Sequence, residues 1–333
     1  MRAERQDLDR TSPVTIWKEY DMIGDKKVRA MVIIFRTRGC WWARKGGCTM
    51  CGYNVESLDD ITKEDLISQI EKASKRYEGE EMVKVYTSGS FLDDNEFPPE
   101  VRDLLFITFA GTERILFETR PEFVTEKTLA SIPKDRCYVA LGLETCDDKV
   151  RARCIKKGFT KEDYQRAAGL LKINCVPVRT YLILKPPFLT EKQAMNDVIC
   201  SVEFAAPYSD SISINPLNIQ AGTPVEEVWR RGDLRPPWLW SLVEVLKRCR
   251  SMTDVRIMSA PSGGGTPRGV HNCGICDRKI LDAIERFSFS QHLEDLNGLE
   301  CPCKAKWSAE VHLQGAMRTS VDISKHIEDG PEL

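Results

Sequence analysis

The chain lacks any run of about 18 uncharged apolar residues, so no membrane-spanning helix is expected. Its first ten residues, MRAERQDLDR, contain no apolar stretch of the kind a secretory signal needs, and a cytoplasmic location is the expectation. Net charge is nearly absent: 48 Lys and Arg against 50 Asp and Glu leave −2. No global basic field therefore announces nucleic acid, although local patches are not excluded. There is no internal repeat and no low-complexity tract, and no cysteine precedes Cys40. What is present is an ordinary globular composition, 42% hydrophobic and 29% charged, over 333 residues. That length suits one large domain with an appendage, or two domains. Cysteine, at 13, is high for its type. Reducing compartments disfavour structural disulfides, and an odd total fits pairing poorly, so clustered cysteines point to metal or catalysis.

Residues 1–28 form a charged lead-in that the sequence pattern leaves irregular. The apolar run Arg29–Phe35 predicts a buried strand that opens into a loop rich in glycine and cysteine. Further strands are expected at 82–86, 114–117, 136–143, 176–184 and 211–215. Helices are expected at 61–77, 125–131, 147–155, 161–173, 191–205 and 236–250, with Thr62 and Asp65 as a capping pair for the first. This alternation argues for βαβ units and a parallel sheet, with about six strand–helix units over residues 29–250 of a core expected at 29–254. The expected fold class is α/β, an incomplete barrel of roughly six strands. A smaller cysteine-rich extension is expected over 255–320, followed by a tail at 321–333.

Cys40, Cys48 and Cys51 form a Cys-x7-Cys-x2-Cys loop directly after a predicted strand. Three thiolates on one loop can hold three irons of a 4Fe-4S cubane and leave the fourth iron an open position. That position suits the amino and carboxylate groups of S-adenosylmethionine (SAM), with the protein supplying a dry site. A zinc knuckle is the competing reading, but structural zinc wants four ligands and no histidine is near. The spacing differs from the commonest radical SAM pattern, Cys-x3-Cys-x2-Cys, and Met50 stands where an aromatic is usual. Strand ends carry further features in order: Tyr86-Thr-Ser-Gly-Ser, Glu118-Thr-Arg-Pro-Glu122 and Gly142-Leu-Glu-Thr145, the last followed by Arg151, Arg153 and Lys157. In radical SAM enzymes a glycine-rich strand end meets the SAM amino group, and carboxylates at C-terminal strand ends sit where barrel enzymes build active sites.

Cys273 and Cys276, with Cys301 and Cys303, make two close pairs separated by 24 residues. Four thiolates suit tetrahedral zinc, which is favoured here, with His271 able to replace one. An auxiliary iron–sulfur cluster is the next reading, and unliganded cysteine the last. The other cysteines, at 137, 146, 154, 175, 200 and 249, are expected to fill cores. Gly263, Gly264 and Gly265 could let backbone approach a substrate, with Arg268 and His271 as polar contacts; a plain connector is an equal alternative. Arg235–Trp240, RPPWLW, fits core packing better than base stacking. Local basic pairs such as Arg44-Lys45 could line a groove for RNA phosphates.

The stretches GCWWARKGGCTMCGY, YTSGSFLD, ETRPEFV, LGLETCDDKVRARCIKKGFT, INPLNIQAGTPVEEVW and SGGGTPRGVHNC together resemble the archaeal radical SAM enzymes for archaeosine formation (RaSEA). The resemblance covers roughly residues 30–305. It implies a tRNA-modifying lyase whose substrate is prepared by a partner, ArcS, which attaches lysine to 7-cyano-7-deazaguanine at position fifteen of tRNA. The implied step is radical cleavage of the lysine C–N bond, leaving the formamidine of archaeosine. On this chain Cys40, Cys48 and Cys51 would hold the cluster, and Ser88, Gly89 and Ser90 would contact the SAM amino group. Glu118 and Glu144 would bind its amino or ribose groups, and Arg153 or Lys157 its carboxylate. An electron donor is also implied, and the active unit is expected to be a homo-oligomer or an assembly with ArcS. Two rivals remain in view. Another radical SAM tRNA modification would need either more cysteines upstream of Cys40 or an acyl-CoA domain. A non-catalytic zinc or RNA-binding scaffold would leave the strand-end motifs without a role.

Overall fold

The computed structural model describes residues 8–316. The first seven residues of the lead-in, and everything from 317, including the expected tail, lie outside the described residues. In chain order the elements are β1 (Thr15–Ile23), β2 (Lys26–Ile34), α1 (Lys63–Ser74), β3 (Met82–Tyr86), α2 (Pro99–Thr108), β4 (Arg114–Thr119) and α3 (Glu126–Ala130). There follow β5 (Cys137–Glu144), α4 (Asp148–Val150), α5 (Lys161–Ile173), β6 (Val178–Leu184), α6 (Glu191–Ala205), β7 (Ser211–Pro216) and α7 (Pro224–Arg230). The chain continues through α8 (Leu239–Met252), β8 (Arg256–Met258), α9 (Asp277–Ser290) and α10 (Cys303–Ala316). The α/β class is as expected, and the six anticipated strands are β2 to β7.

The described residues fall into two compact units. Of the described residues, one takes those up to Gly47, Tyr53–Gly142 and Glu162–Arg179; the other takes Cys48–Gly52, Leu143–Lys161 and those from Thr180 on.

In the first unit β2–β3, β3–β4 and β4–β5 pair in parallel, whereas β1 lies antiparallel on β2. Here the structure corrects the irregular lead-in. Residues 15–23 form a full strand whose aromatics Trp17 and Tyr20 are exposed and whose Asp21 is buried, so its hydrophobic pattern does not read as one inward face. Its most buried residue is Asp21, only 2% exposed. The register pairs Asp21 with Val28, and Val32 with Lys84, which puts Asp21 and Lys84 on one face of the sheet. Asp21 takes a bidentate pair from Arg179 at 2.8 and 2.9 Å and a third bond from Lys84 at 2.8 Å. These cations offset the cost of burial and hold the Asp21 carboxyl well below the usual carboxylate range. The helix α1 begins as read: Thr62 accepts from the Asp65 N–H and Asp65 accepts from the Thr62 N–H, a complete capping box.

In the second unit β7 and β8 pair in parallel. A cluster of Ile155, Ile183, Leu217, Ile219 and Val225 forms a local core against which Cys48 and Met50 pack. The helix expected over 147–155 is a single turn, α4, that widens into a π-helix at Arg151–Ile155. The cause is Arg151: fully buried, it donates to the carbonyls of Leu143 and Thr145 and pairs with Asp148, drawing the chain off the α-helical path. Helix α9 packs on β8 and α8 with Ile280, Ala283, Ile284 and Phe287 buried. The tryptophans of RPPWLW tie α8 to α10: Trp238 donates to Glu310 at 2.9 Å, and Trp240 to the Cys303 thiol at 3.3 Å. Of the cysteines expected in cores, Cys137, Cys154 and Cys249 are buried, Cys146 is half-buried, and Cys175 and Cys200 are exposed.

Candidate active site and metal centre

In the first unit the chain leaving β2 runs directly to Cys40. The Phe35 N–H donates to Tyr86 O at 2.9 Å, extending the strand pairing. Gly39 adopts φ +85°, and a Cβ there would lie 2.2 Å from Asn54 Oδ1. That oxygen accepts the Cys40 N–H at 3.2 Å, so the cysteine is placed by backbone. The glycine-rich end of β3 lies against it: a Cβ on Gly89 would fall 2.6 Å from the Cys40 Cα. Only glycine allows that approach. Ser88 Oγ meets Ser57 Oγ at 2.9 Å, and Ser90 Oγ accepts the Arg120 N–H at 3.0 Å. The Phe91 N–H donates to the carbonyl of Glu118 at 2.9 Å. Cys40, Ser88–Ser90 and the Glu118 strand end are thus assembled in one place. Trp41 donates to Glu122 at 3.0 Å, and the Arg120 guanidinium lies over the rings of Trp41 and Trp42.

In the second unit Cys48 and Cys51 stand on a short segment pinned at both ends. The Thr49 N–H donates to Ile155 O at 2.9 Å, its hydroxyl donates to Cys154 O at 2.6 Å, and the Gly52 N–H donates to Gln220 Oε1. Glu144 ends β5 at φ +67°, a strained setting for a residue with a side chain. Lys157 pairs with it directly, whereas Arg153 is exposed to solvent. The glycine loop packs rather than gapes: a Cβ on Gly263 would be 3.0 Å from Asn218 Oδ1, and one on Gly264 2.8 Å from Leu281. Arg268 donates to Ile219 O at 3.0 Å and pairs with Glu226 at 2.5 Å, so it ties this loop to the 215–220 segment. His271 Nδ1 lies 2.8 Å from Gly269 O, and burial pushes its pKa below the usual value.

The four C-terminal thiols converge. Cys273 Sγ lies 3.9 Å from Cys276 Sγ and 3.7 Å from Cys301 Sγ, and Cys276 Sγ lies 3.7 Å from Cys303 Sγ. All four lie within 4.8 Å of one another, and His271 is not in the group. A tetrahedron centred on an ion about 2.3 Å from each sulfur has edges of about 3.8 Å. The donor set therefore fits a single tetrahedral ion. Four thiolates on four different irons of a cluster would stand further apart. Neighbouring N–H groups support the sulfurs: Asn272 donates to Cys276 at 3.3 Å, as Trp240 does to Cys303. Backbone N–H groups of Ile275 and Cys276 lower the Cys273 thiol to about 7.

The radical SAM superfamily matches residues 34–198. Over 313 residues the chain is 42% identical to the archaeosine synthase subunit beta of Methanosarcina acetivorans, covering 91% of this chain and 90% of that one. The chain belongs to this radical SAM family. The archaeosine synthase subunit beta of Thermococcus kodakarensis is 40% identical over 308 residues, 88% of this chain and 95% of that one. An uncharacterised protein of Methanocaldococcus jannaschii is 35% identical over 330 residues, 93% and 90% of the two chains.

Members of this family use a 4Fe-4S cluster and SAM. The half-buried thiols of Cys40, Cys48 and Cys51, each on a backbone-anchored segment, suit the cluster chemically. Two groups went unseen in sequence. Glu96 lies in an acidic stretch, DDNE, that looks like a solvated surface, yet it is 2% exposed. Lys185, just past β6, has φ +66° and is buried in a 2.6 Å pair with Glu191. The signal for Lys185 was available: a lysine between a buried strand and Pro186-Pro187. Among the described residues no helix is long and apolar enough to cross a membrane.

Proposed function

We propose that the chain is the radical-generating subunit of an archaeosine-forming assembly, cleaving the C–N bond of the lysine adduct of 7-cyano-7-deazaguanine at position fifteen of tRNA. The observation that carries this reading is similarity to archaeosine synthase beta subunits along nine-tenths of both chains. ArcS is the partner that makes the adduct, and an electron donor of the cell supplies the reducing equivalent.

The cluster on Cys40, Cys48 and Cys51, with SAM, supplies the one-electron cleavage that starts hydrogen abstraction. The chain's own groups hold and orient. An ammonium donates hydrogen bonds, so the carbonyl oxygens of Ser88–Ser90 and the Glu118 carboxylate suit the SAM amino group. Glu144 suits the amino or ribose groups. Lys157 is better placed than Arg153 for the SAM carboxylate, because it already stands beside Glu144 while Arg153 faces solvent. Arg38, Arg44 and Lys45 are exposed cations on the loop bearing Cys40 and suit tRNA phosphates. Gly263, Gly264, Arg268 and His271 are kept as substrate-side candidates, with Arg268 acting through the loop it anchors. At Cys273, Cys276, Cys301 and Cys303 we assign a structural zinc, since the thiol spacing fits one tetrahedral ion and all four positions are protein ligands.

The test is anaerobic reconstitution, metal analysis and assay of dithionite-dependent 5′-deoxyadenosine formation with tRNA carrying the lysine adduct. About four irons and one zinc per chain, with cleavage dependent on that tRNA, are expected. About eight irons and no zinc would turn the C-terminal site into a second cluster. Zinc alone, without colour or SAM cleavage, would overturn the enzymatic reading in favour of a scaffold.

A further inference from the structure

Glu96 sits in the loop between β3 and α2, almost wholly buried. Its Oε1 accepts the Thr37 hydroxyl at 2.8 Å and the Gly89 N–H at 3.0 Å, and its Oε2 accepts the Ser90 N–H at 2.6 Å. Thr37 Oγ1 in turn accepts the Gly39 N–H at 3.1 Å. One carboxylate therefore grips two segments: the three residues leading into Cys40, and the glycine-rich strand end. Those segments touch where a Gly89 Cβ would strike both Glu96 Oε2, at 2.4 Å, and Cys40. Among the described residues no cation pairs with Glu96, so its burial is sustained by neutral donors alone. Burial pushes its pKa up to about 6. A charge kept in such a place costs free energy. What it supplies is geometric: only a carboxylate, with acceptors on both arms and no hydrogens of its own, can take three donors at once.

We propose that Glu96 is a positioning residue that sets the SAM-binding strand end, Ser88–Ser90, at a defined distance from Cys40. The inference rests on the assignment of that strand end to SAM. It acts through the backbone of Gly89 and Ser90 and touches no reacting atom. In E96Q one arm becomes an amide N–H that points at a donor, so the grip loosens without change of volume.

E96Q and T37V are compared with the wild-type chain, each reconstituted anaerobically, for iron content, thermal unfolding, KM and kcat for SAM, and the EPR change of the reduced cluster on adding SAM. In E96Q, iron content is expected to hold while KM for SAM rises about tenfold, the loss expected for one hydrogen bond to a charged group. The EPR change should broaden or shift, and 5′-deoxyadenosine formation per electron should fall. T37V removes one donor and should move the same quantities less. A folded, iron-replete E96Q with wild-type KM and EPR response overturns the proposal. If E96Q does not fold, T37V decides: unchanged SAM KM and EPR overturn it. If the wild-type chain itself shows no EPR response to SAM, the failure lies with the SAM assignment instead.

Discussion

The two cysteine centres differ in what the surrounding chain has already done. Cys273, Cys276, Cys301 and Cys303 stand at the spacing of one tetrahedral ion, and Asn272 and Trp240 brace two of the sulfurs. Four protein ligands close a coordination sphere, which makes such a site a stabiliser. The loop bearing Cys40, Cys48 and Cys51 supplies three thiols, and a cluster held by three leaves one iron for an exogenous ligand. Its surroundings match that difference. Around Cys40 lie backbone amides, the buried Glu96 carboxylate and the glycine-rich end of β3, while the C-terminal thiols adjoin Trp240 and a helix start. A closed site therefore needs packing, and an open one needs oriented polar groups.

This contrast can be broken most sharply by removing one thiol from each centre. Cys48→Ala should bring SAM cleavage to background and lower the iron content, with zinc and thermal stability nearly unchanged; a loss of zinc would show that the centres are not separate. Next in size is Asp21→Asn, which tests a buried cluster of one carboxylate and two cations. Removing the buried charge that Arg179 and Lys84 share should cost about 3–5 kcal/mol, or a Tm drop of roughly 6–20 °C, with metal content unchanged. Because the Asp21 pKa is depressed, its contribution is fully present above the unfolded carboxylate value of about 3.9 and is lost as pH falls through the folded one. The stability difference between wild type and Asp21→Asn should therefore shrink on acidification; a constant difference down to pH 3 would contradict it. Cys276→Ala should remove zinc and cost about 2–4 kcal/mol, a Tm drop of roughly 4–16 °C, while iron content persists. Smallest is Trp240→Phe, which deletes one N–H donor to Cys303. Zinc affinity by chelator competition should fall about tenfold with little change in Tm; unaltered affinity would make Trp240 a packing residue only.

Much of the architecture was legible along the chain. The strand Met82–Tyr86 and the helices Lys161–Ile173 and Glu191–Ala205 match the apolar pattern residue for residue, because each buries a continuous or periodic face. Strand β1 was not legible, since its buried charge, Asp21, is satisfied by Arg179, 158 residues away. Helix α2 was missed because it opens on Pro98-Pro99 and carries a buried arginine, Arg102. At the site the cysteines and strand-end motifs were visible as spacing. The pairing of Lys157 with Glu144, the anchoring role of Arg268 and the buried Lys185–Glu191 pair were not.

By itself the sequence determined the chemistry available: seven cysteines in two clusters, the glycines that let backbone reach them, and the alternation of strands and helices that puts loops at strand ends. Those follow from residue type and local spacing. Only the tertiary structure decided that four C-terminal thiols meet at the edges of one tetrahedron, that an acidic surface-like residue, Glu96, is buried against the approach to Cys40, and that an aspartate of the lead-in ends between two cations. Each depends on which distant groups compensate a desolvated charge or a sulfur, and that compensation exists only once the chain has folded.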